Sequence, residues 1–252
     1  MKVTIITVTY NSEAYILDCI NSVGRQDYKN IEHIIVDGLS SDNTIKIIRQ
    51  NQTTVSKWIS EKDNGMYDAI NKGIQMATGE IIGILNSDDL LASTDVISSI
   101  VKCFENKETN TLYGDLVYVD TKDTNKILRI WKGSSYKRIR FSFGWMPAHP
   151  TFYMRKSIME KYGGYDSLFL TAADFEFMSR LLYKYKVSSF YLPKLIIKMR
   201  IGGQSNATLS KRLIANRMDY LAMKKNNILF PRLISILKPL RKIPQFCKSF
   251  FH

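Results

Sequence analysis

Residues 66–89 read MYDAINKGIQMATGEIIGILNSDD, and this stretch decides the fold class. Met66–Ala77 carries a helical pattern that runs out at Gly79, a residue suited to a helix C-terminus. Glu80–Leu85 then predicts a buried strand, free of polar residues from Ile81 on, that stops abruptly at Asn86, Ser87, Asp88 and Asp89. A strand without alternation is buried on both faces, as in a parallel sheet covered by helices.

Working back towards the N-terminus, the same unit recurs. Residues 3–9 (VTIITVT) predict another buried strand, broken by Tyr10-Asn11-Ser12. Asn11 or Ser12 can cap a helix that carries Ile16, Leu17, Ile20 and Val23 on one face. Ile31–Val36 reads as a second strand and ends in DGLSSD (37–42). Asn43–Gln50 reads as a helix with Asp42 or Asn43 as its cap. Val55–Ser60 reads as a short strand, and Asp63-Asn64-Gly65 as a turn. This alternation predicts an α/β fold with a mainly parallel sheet. Ligands of such sheets bind beyond the carboxyl ends of the strands. The polar clusters at Tyr10-Asn11, Asp37-Gly38, Glu61–Asp63 and Asn86–Asp89 lie at those ends, so chain order alone predicts one shared cleft.

Beyond residue 110 the pattern changes. Thr111–Asp120 and Lys126–Trp131 read as a hairpin or two edge strands. An aromatic and basic segment follows at 134–145. Pro150–Met154 predicts a strand, Ser157–Tyr162 a helix closed by Gly163-Gly164, Ala173–Tyr185 a longer helix, and Ser188–Leu192 a strand.

Each polar cluster admits a chemical and a structural reading. Adjacent carboxylates at Asp88 and Asp89 repel one another without a cation, and Mg²⁺ or Mn²⁺ suits such oxygen ligands; they also suit a turn. Asp37 can accept hydrogen bonds from a base or ribose, or shape its own turn. Asp174 and Glu176 open a helix, where acids favour the dipole, yet a carboxylate there can act as a general base. His149 in MPAHPT can be structural or can touch a phosphate or an acceptor. His33 lies inside a strand and reads as buried.

The chain has 252 residues and a net charge of +13, a length that fits one α/β domain with a small appendage. Cys19, Cys103 and Cys247 show no metal-ligand spacing and read as reduced thiols of a cytosolic protein. The polar Thr7, Thr9 and Asn11 argue against a signal peptide, and no apolar run is long enough to predict a membrane span. Seven cations and no acids lie beyond Asp219, interleaved with bulky aliphatic and aromatic residues. Residues 209–252 therefore predict a basic helical tail, packed on the core or seated among anionic lipid headgroups, the latter preferred. The interleaving fits lipid better than nucleic acid, so no nucleic-acid partner is expected.

Four segments together carry a resemblance. They are TIITVTYNSEAYILDCINSV, EHIIVDGLSSDNT, SEKDNGMYDAINKGIQMATGEIIGILNSDD and HPTFYMRKSIMEKYGGYDSLFLTAADFEFMSRL. In order and spacing they resemble family 2 glycosyltransferases of the GT-A fold, common in bacterial polysaccharide and O-antigen assembly. The resemblance implies a catalytic domain over 1–208, with a nucleotide-sugar half to about 110 and an acceptor half from 111, followed by the 209–252 tail. It implies that Thr9, Tyr10 and Asn11 border the nucleotide, that Asp37 binds base or ribose, and that Asp63 lies at the nucleotide. Asn86, Ser87 and Asp88 match a D-x-D-like motif in which Asp88 is the main ligand of Mn²⁺ or Mg²⁺ and Asn86 replaces the more usual first Asp. Asp174 matches the catalytic base. His149 and Gly203-Gln204-Ser205 match positions near the donor phosphates or acceptor. The implied activity is inverting transfer from a nucleotide-diphosphate sugar, UDP being the commonest carrier, to a glycan on a lipid pyrophosphate. The implied location is the cytoplasmic face of the membrane, as a peripheral protein. A nucleotidyltransferase is disfavoured because TYNSE, after the first strand, is neither glycine-rich nor basic. A non-catalytic binding protein is disfavoured because both Asp88 and Asp174 are present.

Overall fold

Val3–Thr9 forms β1, a strand buried along its whole length because helices cover both of its faces. The computed structural model describes residues 1–202, 209–232 and 234. After β1 come α1 (Ile16–Gly24), β2 (Ile31–Asp37), α2 (Thr44–Gln50), β3 (Lys57–Ser60), α3 (Met66–Met76) and β4 (Ile81–Ile84). These strands lie parallel in the order β3-β2-β1-β4. Register pairs Thr9 with Asp37 and Asp37 with Ser60, so the three strand ends are level at one edge. Ile16 and Ile20 of α1 pack with Ile48 of α2 on one face, and Ile70 of α3 packs with Ile6, Ile34 and Val36 on the other.

Two local expectations are corrected here. Leu17 points outward, 43% exposed, so the buried stripe of α1 is Ile16, Cys19, Ile20 and Val23. Gly79 is not a left-handed cap, because α3 has already ended with Ala77 in an extended conformation. Glycine is required at 79 by close approach: a Cβ there would stand 2.6 Å from Thr4 Oγ1 and 2.9 Å from the Lys2 carbonyl.

The second half adds β5 (Leu90–Leu91), α4 (Val96–Asn106), β6 (Thr111–Val119), β7 (Ile127–Trp131), β8 (Tyr153–Arg155), α5 (Lys156–Tyr162), α6 (Ala173–Ser179), β9 (Ser189–Arg200) and α7 (Leu209–Lys225). The sheet continues as β4-β8-β6-β9-β5, with β8 antiparallel to β4 and β7 antiparallel to β6. β6 is thus an interior strand rather than an edge. β9 runs twelve residues, well past Leu192. A register shift between Tyr113 and Asp115 of β6 accommodates Pro193 of β9, and the Gly114 N–H there donates to Thr151 Oγ1. His149–Thr151 is a single 3₁₀ turn rather than strand, and α6 continues into a π turn at Arg180–Lys184. Ala222 and Met223 of α7, with Ile228 and Ile234 beyond it, are buried in the same core as α3 and α6.

Two buried titratable groups in β2 set a pH response. His33 is fully buried, its Nε2 is 3.0 Å from Thr7 Oγ1, and burial pushes its pKa down to about 4. For Glu32 burial opposes ionisation, but hydrogen bonds from Thr78, Thr4 and Lys57 outweigh it and bring the pKa to about 2. As pH falls through the unfolded-state histidine value, the unfolded chain takes up a proton that the folded chain refuses. Unfolding free energy should therefore drop between pH 6.5 and about 4, by about 3 kcal/mol from His33. Glu32 should steepen the loss between pH 4.5 and 2. Urea titrations across this range check it, and a flat profile from pH 6.5 to 4.5 would refute the histidine assignment.

Candidate active site

The carboxyl ends of β1 and β2 are tied together by their own polar loops. Gly38 N–H donates to the Thr9 carbonyl at 2.9 Å. Asn11 adopts a left-handed conformation (φ 47°) that asparagine tolerates. Its N–H donates to Ser40 Oγ at 2.8 Å and its side-chain oxygen accepts from Ser41 N–H at 2.9 Å. Asp37 is fully buried, and its carboxylate accepts from Ser40 N–H at 2.9 Å, from Ser60 Oγ at 2.7 Å and from Ser40 Oγ. It therefore holds the loop open from within, and any base or ribose contact must share oxygens already engaged by serines. Asp63 packs against Gly38, where a Cβ would meet its Oδ2 at 2.6 Å. Tyr10 projects outward, 60% exposed, and the buried Thr9 hydroxyl has no protein partner. Thr9, Tyr10, Asn11, Asp37 and Asp63 thus gather at one place.

The loop after β4 joins them through a 2.9 Å contact between Ser87 Oγ and Ser12 Oγ. Asn86 donates its side-chain amide to Asp89 Oδ2 at 2.9 Å, so it braces the turn. Asp89 is fully buried with Oδ1 unpartnered, and burial, then the Asp88 charge, pushes its pKa well up. Asp88 is partly exposed and also raised by burial, against the opposing Arg200 charge. Arg200, at the end of β9, donates to the Asp88 carbonyl at 2.8 Å and to Asp18 at 2.6 Å. Two neighbouring carboxylates short of positive charge, one with an orphaned oxygen, fit a hard divalent cation. Among the described residues no three His, Cys, Asp or Glu side chains converge into a ready cage. A cation at this place would have to bring oxygen ligands of its own.

Asp174 opens α6, directly after a 3₁₀ stretch (Ser167–Ala172) in which Leu170 holds a left-handed φ of 47°. Its carboxylate accepts from Phe175 N–H at 2.6 Å, and its charge acts on the phenols of Tyr67 and Tyr165 and on the His149 ring. Tyr67 is in the first turn of α3, just past the Asp63-Asn64-Gly65 turn. Four residues along the same face, Asn71 grips Tyr165 by both backbone groups, at 2.8 and 2.9 Å. Tyr165 stacks on Tyr67 with ring centroids 5.5 Å apart and bonds His149 Nε2 through its hydroxyl at 2.8 Å. Burial holds the His149 pKa below its ordinary value against the Asp174 charge, so the ring is neutral at pH 7. Burial and the same charge push the phenols of Tyr67 and Tyr165 up.

Asp174 and His149 therefore share one cluster, which Tyr67 links to the Asp63 turn and hence to the Thr9 and Asp37 loops. Ser12 and Ser87 link those loops to Asp88. Gly203-Gln204-Ser205 lie outside the described residues. Sequence reasoning missed Tyr67, Tyr165 and Arg200. Tyr67 had one available signal, an aromatic in the helical turn that follows D-N-G; a lone arginine ending a strand gives none.

Residues 4–163 match the sequence profile of glycosyl transferase family 2. An uncharacterized glycosyltransferase of Mycobacterium tuberculosis is 31% identical over 185 residues, 71% of this chain and 68% of the relative. A PGL/p-HBAD biosynthesis glycosyltransferase of Mycobacterium bovis is 26% identical over 216 residues, 84% of this chain and 82% of the relative. Among solved structures, the Staphylococcus aureus TarS 1–349 complex with UDP-GlcNAc superposes with a TM-score of 0.66 at 18% identity, covering 99% of this chain and 79% of that one. The mannosyltransferase PcManGT of Pyrobaculum calidifontis, in complex with GDP-Man and Mn²⁺, gives 0.67 at 18% identity, covering 98% and 73%. With more than half its length matched by the family profile, and a mixed sheet shared with these structures, the chain belongs to glycosyl transferase family 2 and is a glycosyltransferase of GT-A fold.

Proposed function

We propose that this enzyme moves a hexosyl group from a nucleoside-diphosphate sugar, UDP being the first candidate, to a hydroxyl of a saccharide acceptor with inversion. The observation that carries this reading is the stacked Tyr67–Tyr165 pair with His149 beside Asp174, which α3 joins through the Asp63 turn to the loops ending β1 and β2. The UDP-GlcNAc and GDP-Man complexes of structurally similar proteins support the donor class. Asp174 takes the proton of the acceptor hydroxyl as its oxygen attacks the anomeric carbon. One base and a single displacement invert that centre, by the logic that separates inverting from retaining glycoside hydrolysis. Asp88 would hold Mn²⁺ or Mg²⁺, and a bound cation stabilises the departing diphosphate. Asn86 and Ser87 keep that loop in shape, while Asp37, Asp63, Thr9, Tyr10 and Asn11 form the nucleoside side. Neutral His149, aimed by Tyr165, offers hydrogen bonding to phosphate or acceptor.

A thermal-shift screen of UDP, GDP and dTDP sugars, with and without Mn²⁺, tests the donor. A donor at about 100 times its Kd stabilises by about 2.7 kcal/mol, which raises Tm by several degrees in a chain of this size. No shift with any donor would count against the reading. Asp88→Asn should abolish stimulation by Mn²⁺ and raise the donor KM at least about tenfold, as expected for loss of a charged ligand. Unchanged Mn²⁺ dependence in that variant would remove Asp88 from the metal site.

We further propose that the acceptor glycan is carried on a lipid pyrophosphate in cell-surface polysaccharide synthesis, such as O-antigen, and that the chain acts at the inner membrane face. Leu229 and Phe230, 58% and 71% exposed beside the basic tail, support contact with anionic lipid. Among the described residues no helix is long and apolar enough to cross a membrane. Co-sedimentation with phosphatidylglycerol vesicles should weaken in Leu229→Ser/Phe230→Ser. Equal binding by the variant would place the contact elsewhere or dismiss it.

A further inference from the structure

A network of ion pairs begins just past Asp174. Glu176, two residues after Asp174, is fully buried, and Arg180 Nε meets its two carboxylate oxygens at 3.1 and 3.2 Å. Arg180 also donates to the carbonyls of Tyr162, Gly163 and Gly164, closing the end of α5 onto α6. The second cation on Glu176 comes from far along the chain. Lys225 Nζ, from the last turn of α7, stands 3.1 Å from Glu176 and 2.8 Å from Asp166. Burial works against the Lys225 ammonium, but its bonds to Asp166 and Glu176 outweigh that and raise its pKa. Asn226 adds amide bonds to the Glu176 carbonyl at 3.0 Å and to Ser179 Oγ at 2.9 Å.

Lys225 thus grips both ends of the segment that presents Asp174. Asp166 caps the 3₁₀ stretch leading into α6, with Leu168 N–H donating to it at 3.1 Å. Glu176 lies within the first turn of α6 itself. Between them runs Leu170, in a left-handed conformation that an isolated leucine disfavours and that surrounding structure must enforce. We propose that Lys225 is a positioning residue for the glycosyl transfer, fixing Asp174 from outside the cleft by pinning Asp166 and Glu176 together. This rests on the reading of Asp174 as base. It gives α7 a role in turnover that is independent of any membrane contact.

The test uses the full chain in four forms: wild type, Lys225→Met, Lys225→Arg and Asp174→Asn. Hydrogen exchange of backbone amides reads the lock without substrate. Lys225→Met should raise exchange selectively over residues 166–180, and Lys225→Arg should restore protection. With the donor and acceptor pair found by screening, Lys225→Met should lower kcat about 10- to 100-fold with donor KM within about twofold, as misplacement of a reacting group does. In the Asp174→Asn background the same change should cost little further, because the two act through one group. Unchanged exchange in Lys225→Met overturns the lock. Raised exchange with unchanged kcat, while Asp174→Asn is inactive, overturns the positioning role alone. An equal loss from Lys225→Met in both backgrounds shows general destabilisation and also overturns it. Full turnover by Asp174→Asn overturns the base assignment and the inference with it.

Discussion

Asp174→Asn should lower kcat by about 10²- to 10⁴-fold, the range for loss of a general base, while nucleotide-sugar binding stays within about twofold. The amide keeps the shape of the side chain and can still accept from Phe175 N–H, so the 2.6 Å local bond and the helix start should survive. What is lost is the ability to take a proton from the acceptor. The contrast between binding and turnover is therefore the decisive measurement. Donor titration by calorimetry and steady-state transfer assays provide it, and near-wild-type transfer would remove Asp174 from the mechanism.

The largest expected effect on stability comes from Arg180→Met. Glu176 has no solvent access, and Arg180 is only 8% exposed. Removing the guanidinium leaves the carboxylate with Lys225 as its remaining cation and strips donors from three carbonyls at 162–164. Breaking a buried pair from one side costs roughly 3–5 kcal/mol, a large share of the stability of an ordinary domain. Chemical denaturation should show the midpoint falling with the slope unchanged. The double change Arg180→Met/Glu176→Leu should recover part of the loss, because no unpaired charge then remains. If Arg180→Met costs under about 1 kcal/mol, as exposed pairs do, the network is not a structural unit.

The legible parts of the sequence were those where burial is two-sided. VTIITVT, IEHIIV and EIIGIL read as strands because helices cover both their faces, so apolar and β-branched residues dominate without a two-residue alternation. Their polar ends then pointed to the carboxyl edge of the sheet, where Thr9, Asp37 and Ser60 stand level. Half-buried elements were read less well. Lys194 and Lys198, after Pro193, hid the second half of β9, since alternation spoiled by a proline resembles a loop. Leu17 followed helical spacing yet faces solvent, because α1 is covered by α2 only along the Ile16–Ile20 side. Within the candidate site, carboxylates announced themselves by type and position. Tyr67 and Tyr165 did not, since their part depends on partners 94 to 107 positions away in the chain, such as Asn71 and Asp174. Asn86 was read as a ligand position, and its observed bond to Asp89 gives it a bracing part as well.

The grip of α7 on Glu176 has a consequence for biosynthesis. On the ribosome, the sheet and its loops emerge well before Lys225. At roughly 5–20 residues per second, the 49 residues separating Glu176 from Lys225 represent about 2–10 s of translation. Within that interval β9 is completed at Arg200, so the nascent chain comes to carry every described strand while its α6 carboxylate still awaits one of its two counter-ions. Competence for sugar transfer should therefore appear late and abruptly, when α7 closes onto Glu176, which spares the cell's activated sugars from a half-made enzyme.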